Sequence, residues 1–140
     1  MLGDSPVNAI LPCVDLAGAR KFYGETLGLT EVQFPGLTGE AAEASAAEAA
    51  LYACGGGTFL VVYARETPTQ ADHTAAGWMV ADFDAVAEDL LNRGVKFESY
   101  PDLPGTTFDD RGIATAEPGY KTAWFKDPEG NILSIFEMTA

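Results

Sequence analysis

The chain repeats itself once, and this duplication constrains its fold more than any other feature. Residues 7–29 run from an apolar stretch through Asp15-Leu16 and Phe22-Tyr23 to Leu27-Gly28-Leu29. Residues 74–95 follow the same grammar through Trp78-Met79-Val80, Asp82-Phe83 and Gly94-Val95. Asp15 to Asp82 is a shift of 67, and Gly28 to Gly94 a shift of 66. Each half therefore reads as a strand, an Asp-capped helix, a glycine stop and further strands. Phe83, Val86, Ala87, Leu90 and Leu91 recur at helical spacing behind the Asp82 cap, as Leu16, Ala19, Phe22, Tyr23 and Leu27 do behind Asp15. The glycines suit the left-handed conformation that closes a helix. Strand-like runs at 58–63 and 131–136 follow the turns Gly55-Gly56-Gly57 and Asp127-Pro128-Glu129-Gly130. The expected fold class is α+β: one domain over 1–140, built from a module of about 6–66 and a second of about 73–137.

Two segments resist the repeat. Residues 40–50 have helix composition where a loop and strand are expected, so they read as a loop or short helix entering a strand at 51–53. Residues 101–120 carry Pro101, Pro104, Gly105, Gly112, Pro118 and Gly119, and read as one long loop.

The 140 residues, 47% hydrophobic, suffice for one real core and not for two ordinary domains. Eight Lys and Arg against 21 Asp and Glu leave a net charge of −13. Such a surface repels phosphate backbones and anionic lipid, so no nucleic acid and no membrane is expected as partner. It attracts cationic small molecules, or simply keeps the protein soluble. The first residues give no expectation of a secretory leader, and no apolar stretch reaches the roughly 18–20 residues of a membrane helix. Cys13 and Cys54 lack C-x-x-C spacing, so reduced, inert thiols and a cytoplasmic location are expected.

The Asp15-Leu16, Phe22-Tyr23 and Leu27-Gly28-Leu29 signature, with Trp124-Phe125-Lys126-Asp127-Pro128-Glu129-Gly130-Asn131, resembles the vicinal oxygen chelate superfamily over residues 6–137. That group includes glyoxalase I, extradiol dioxygenases, fosfomycin-resistance enzymes and bleomycin-resistance proteins. The resemblance implies two βαβββ modules whose strands curl into a cup-shaped mixed sheet around a small-molecule pocket. It also implies helices on the outer face and a homodimer. The family holds a metal with His, Glu or Gln at four inward strand positions. In this chain the resemblance assigns them to Asn8, Val61, Ala75 (Thr74 if the register slips by one) and Ser134. None is a good ligand, because divalent sites draw on imidazole, carboxylate or thiolate. His73, the only histidine, falls beside the inward slot and reads as an exposed strand-entry residue. No metal and no cofactor is expected.

Strand alternation from those slots turns Ile10, Pro12, Phe59, Tyr63, Gly77, Met79, Ile132 and Phe136 inward. Leu11, Leu60, Trp78, Val80, Leu133 and Ile135 become core beneath the helices. The candidate ligand-binding set is Asn8, Phe59, Tyr63, Met79, Phe108, Trp124, Ser134 and Phe136, with Tyr120 at the rim. Packing alone also accounts for each aromatic. No catalytic residue is assigned, and Asp109 and Asp110 read as solvated. An aromatic cup without buried charge suits sequestration of a hydrophobic or cationic aromatic ligand, in the manner of the bleomycin-resistance type. The alternatives are a lyase, isomerase or dioxygenase-like enzyme with a non-standard metal site, and a regulatory or interaction module.

Overall fold

Each half of the chain builds its own sheet. The computed structural model describes residues 1–138, and the chain divides into two units after Gln70.

The first unit contains β1 (Ala9–Cys13), α1 (Leu16–Arg20), β2 (Glu31–Val32), α2 (Gly39–Glu48), β3 (Ala49–Ala53) and β4 (Phe59–Ala64). The sheet order is β1-β4-β3-β2, with β1 parallel to β4 and the other pairs antiparallel. Asp15 caps α1 by accepting a hydrogen bond from the Gly18 N–H at 3.0 Å. The helix then widens into a π-helical stretch, Lys21–Thr26, closed by the Leu27 N–H donating to the Phe22 carbonyl at 2.9 Å. Gly28, at φ 74°, turns the chain out of it. Alternation puts Leu11, Cys13, Ala50, Tyr52, Leu60 and Val62 on one sheet face, where they form a core with Ala19 and Tyr23. Tyr23 is fully buried, its ring 5.9 Å from that of Tyr52.

The second unit repeats the plan with β5 (Thr74–Met79), α3 (Phe83–Asn92), β6 (Thr107–Phe108), β7 (Ala114–Ala116), β8 (Tyr120–Lys126) and β9 (Ile132–Met138). Its order is β5-β9-β8-β7-β6, again with the first and last strands parallel. Asp82 accepts from the Ala85 N–H at 3.1 Å, and Gly94 at φ 89° ends the helix. Phe83, Ala87 and Leu90 of α3 are buried with Ala123, Phe125, Leu133 and Ile135. The turn into β9 is organised by Asp127, which accepts from the Glu129 and Asn131 N–H groups and from the Asn131 amide at 2.8–2.9 Å. Among the described residues no helix is long and apolar enough to cross a membrane.

Residues 40–50 take the helical alternative that their composition offered: α2 fills 39–48, and the strand begins at Ala49 rather than at 51. Residues 101–120 are not one loop, since β6 and β7 form a hairpin inside it and Tyr120 already belongs to β8. The turn between them is fixed by Asp109, whose carboxylate accepts from the Arg111 and Ile113 N–H groups, both at 2.9 Å. Gly112, at φ 92°, passes so close to Phe97 that a Cβ there would lie 2.9 Å from the Phe97 Cβ.

Candidate ligand-binding site

The register of the second sheet determines which side chains share a face. Gly77 pairs with Ser134, Ser134 with Trp124, and Trp124 with Glu98 through an isolated bridge. The next row holds Met79, Phe136 and Thr122. A bulge between Thr74 and Ala76 sets Thr74 opposite Ile132, on the face of Ser134 and Phe136. Thr74, not Ala75, therefore takes the slot that the repeat left undecided.

On this face the rings gather around Trp124. Its centroid lies 5.5 Å from Tyr100, at an interplanar angle of 77°, and 6.0 Å from Phe108. Its indole N–H donates to the Thr74 hydroxyl at 3.0 Å, which fixes the plane of the ring. Phe136 stacks on Tyr120 at 6.4 Å. Ser134 is 6% exposed, and Gly77 makes room for it: a Cβ there would stand 2.7 Å from the Ser134 Oγ and 3.2 Å from the Phe136 ring. Met79, at the edge, is 74% exposed. The Tyr100 hydroxyl is buried with no hydrogen-bond partner among the described residues, and burial, reinforced by the Glu98 carboxylate, raises its pKa above the usual 10.0.

The first sheet presents Phe59, Val61 and Tyr63 half-buried on the face opposite its core, alternating with buried Leu60 and Val62. Asn8 lies on the approach to β1, its Oδ1 accepting from the Phe59 N–H at 2.7 Å. That bond ties the start of β1 to β4. Ile10, its neighbour on this face, is 63% exposed.

Phe108, Trp124, Ser134, Phe136 and Met79 thus share one face of the second sheet, and Asn8, Phe59 and Tyr63 belong to the first unit. Sequence reasoning missed Tyr100 and Glu98, and with Glu98 it missed a half-buried carboxylate on a face expected to carry none. A signal for them existed: Val32 to Glu98 is a shift of 66, the interval that separates Gly28 from Gly94. Asp109 is held below the usual carboxyl range despite burial that pushes it up. The Ile113 N–H and the Arg111 guanidinium and N–H outweigh that effect, so Asp109 is a turn anchor. His73 is exposed, Cys13 is 1% exposed in the first core, and the Cys54 thiol points to the Tyr52 carbonyl at 3.9 Å.

The four positions that the resemblance assigns to a metal do not fit one. In the first unit Val61 offers hydrocarbon, and the Asn8 oxygen is committed to a backbone amide. In the second, Thr74 accepts from Trp124 and Ser134 offers a neutral hydroxyl. Among the described residues no group of three His, Cys, Asp or Glu side chains could hold an ion.

Residues 6–135 match the family model of the Glyoxalase/Bleomycin resistance protein/Dioxygenase superfamily. No curated protein matches the chain. Solved structures with the same fold include a glyoxalase/bleomycin resistance protein from Catenulispora acidiphila, at 22% identity and TM-score 0.64, covering 95% of this chain and 97% of that one. TnmS3, an antibiotic binding protein from Streptomyces sp. CB03234, is similar at 24% identity and TM-score 0.61, covering 96% and 97%. A lactoylglutathione lyase from Agrobacterium tumefaciens is similar at 18% identity and TM-score 0.61, covering 95% and 92%.

Proposed function

This chain belongs to the glyoxalase/bleomycin resistance protein/dioxygenase superfamily, and we propose that it binds a hydrophobic or cationic aromatic small molecule without a metal. One observation carries the reading: Trp124, Phe108 and Tyr100 cluster on a sheet face where Glu98 stands opposite Trp124 in register. Aromatic faces attract flat rings and cations, and a half-buried carboxylate adds to the second attraction. Ser134, beside Trp124, supplies a hydroxyl for orientation. Met79 and Phe136 extend the apolar surface, and Asn8, Phe59 and Tyr63 are proposed as ligand contacts on the first unit's own sheet. The antibiotic-binding relative is consistent with such a role.

Calorimetry with a panel of cationic aromatic drugs tests the proposal, alongside elemental analysis of the purified protein. Saturable binding that Trp124→Ala abolishes is the expected result. Stoichiometric zinc, iron or manganese, or binding indifferent to Trp124, overturns it. An enzyme reading has one foothold, the Glu98 carboxylate beside the buried Tyr100 hydroxyl. Turnover of a hemithioacetal or a catechol that Glu98→Gln abolishes would favour it instead.

A further inference from the structure

Thr74 makes a contact that its exposed place at the start of β5 does not require. Its hydroxyl accepts from the Trp124 indole N–H at 3.0 Å, reaching from β5 to β8 over β9, the strand between them. The bulge between Thr74 and Ala76 makes that reach possible, because it sets Thr74 opposite Ile132, on the face that Ser134 and Trp124 share.

The internal repeat supplies a control. Asn8 lies 66 residues before Thr74, the interval that also separates Gly28 from Gly94. Its Oδ1 accepts from the Phe59 N–H at 2.7 Å, so in the first unit the polar side chain at this place joins the approach of β1 to the start of β4. In the second unit β5 and β9 pair through their backbones, and the Thr74 hydroxyl is committed to a side chain instead. The two halves differ in what needs holding. Leu51, paired with Val61 as Trp124 is with Ser134, has no polar atom to satisfy. An indole does, and its ring also turns about a broad, roughly two-fold torsion that packing alone leaves open. The hydrogen bond selects one setting, in which the ring meets Tyr100 at 77° and lies 6.0 Å from Phe108.

The geometry points to Thr74 as a positioning residue: its hydroxyl holds the Trp124 ring in the orientation that receives a ligand. The place that the resemblance gives to a metal ligand thus orients an aromatic surface. The effect on affinity rests on the binding reading given above, and the effect on the ring does not.

The test uses the full chain, with proflavine as a flat cationic probe. Thr74→Val removes the hydroxyl while keeping the branched shape that suits a strand, and Thr74→Ser keeps the hydroxyl. The Trp124 indole N–H resonance is the one missing from Trp124→Phe. In the free protein it shifts in Thr74→Val and exchanges with solvent about tenfold faster, as loss of a hydrogen bond allows. Thr74→Ser keeps both close to wild type. By calorimetry, proflavine binds about tenfold more weakly to Thr74→Val and within about twofold of wild type to Thr74→Ser. An unchanged indole resonance and exchange rate in Thr74→Val overturns the proposal, and so does a loss that Thr74→Ser fails to restore. Absence of proflavine binding in the wild type counts against the binding reading alone, and the indole resonance then decides the role of Thr74.

Discussion

Gly77 is small because its neighbours need the space. A methyl there meets the Ser134 Oγ at 2.7 Å and the Phe136 ring at 3.2 Å. Gly77→Ala is expected to cost about 1–3 kcal/mol, as overpacking does, and a shifted urea midpoint with an unchanged slope would register it. Two ionisable groups make predictions about pH. The Asp109 carboxyl is depressed in the folded protein below its usual 3.8, so its contribution to stability is complete above that value. The contribution is lost as pH falls through the native pKa, and Asp109→Asn should flatten the acid limb of stability below about pH 4. Tyr52 works in the opposite direction. Burial foremost, then Glu31 and Cys13, against an opposing pull from Arg20, push its pKa from 10.0 to about 12. Stability is therefore full below pH 10.0 and declines as pH rises towards about 12. Tyr52→Phe should remove the Tyr52 share of that alkaline decline, leaving the share of Tyr100, and cost little at neutral pH, because the buried hydroxyl has no hydrogen-bond partner among the described residues. Absorbance titration at the tyrosinate band, with parallel urea melts, would check both expectations.

At the scale of elements, one side chain of α1 ties α2 to its neighbours. Arg20→Met removes its hydrogen bond to the Ala46 carbonyl of α2, together with those to Ala49 of β3 and Glu31 of β2. Amide exchange in 39–48 should then quicken by about tenfold or more, with the cores of both sheets unaffected. The elements that were legible beforehand are those whose pattern is local. Asp15 and Asp82 cap, Gly28 and Gly94 stop, and alternation from 58 to 63 separates the buried from the half-buried face. The Asp127 turn was legible for the same reason. What escaped depends on pairing across the sheet. The strands β6 and β7 are two and three residues long, too short to show a period, and exist because β8 offers them an edge. The bulge before Ala76 is equally silent in sequence, since it appears only once β5 is laid beside β9. Tyr100 lay outside any recognised strand, so nothing local turned its ring towards Trp124. The partners of the Asn8 and Thr74 side chains, a backbone amide and an indole, likewise became visible only with the strands in register.

For the molecule as a whole, the −13 net charge acts on every group at once. Self-repulsion opposes compaction, and salt screens it. Raising sodium chloride from about 10 mM to about 500 mM should lift the melting temperature by about 2–5 °C, measurable by calorimetry. The same salt should weaken any cationic ligand, so a binding constant that falls while stability rises separates the two effects. The duplication also leaves a mark beyond energetics. Both halves admit their additional structure at one place in the repeat, after Val32 in the first and after Glu98 in the second, and they fill it with unrelated elements, a helix and a hairpin. The ancestral unit thus bequeathed a socket along with its scaffold. Specificity can be re-cut by exchanging what is plugged into either socket, and the core inside each half need never be rewritten.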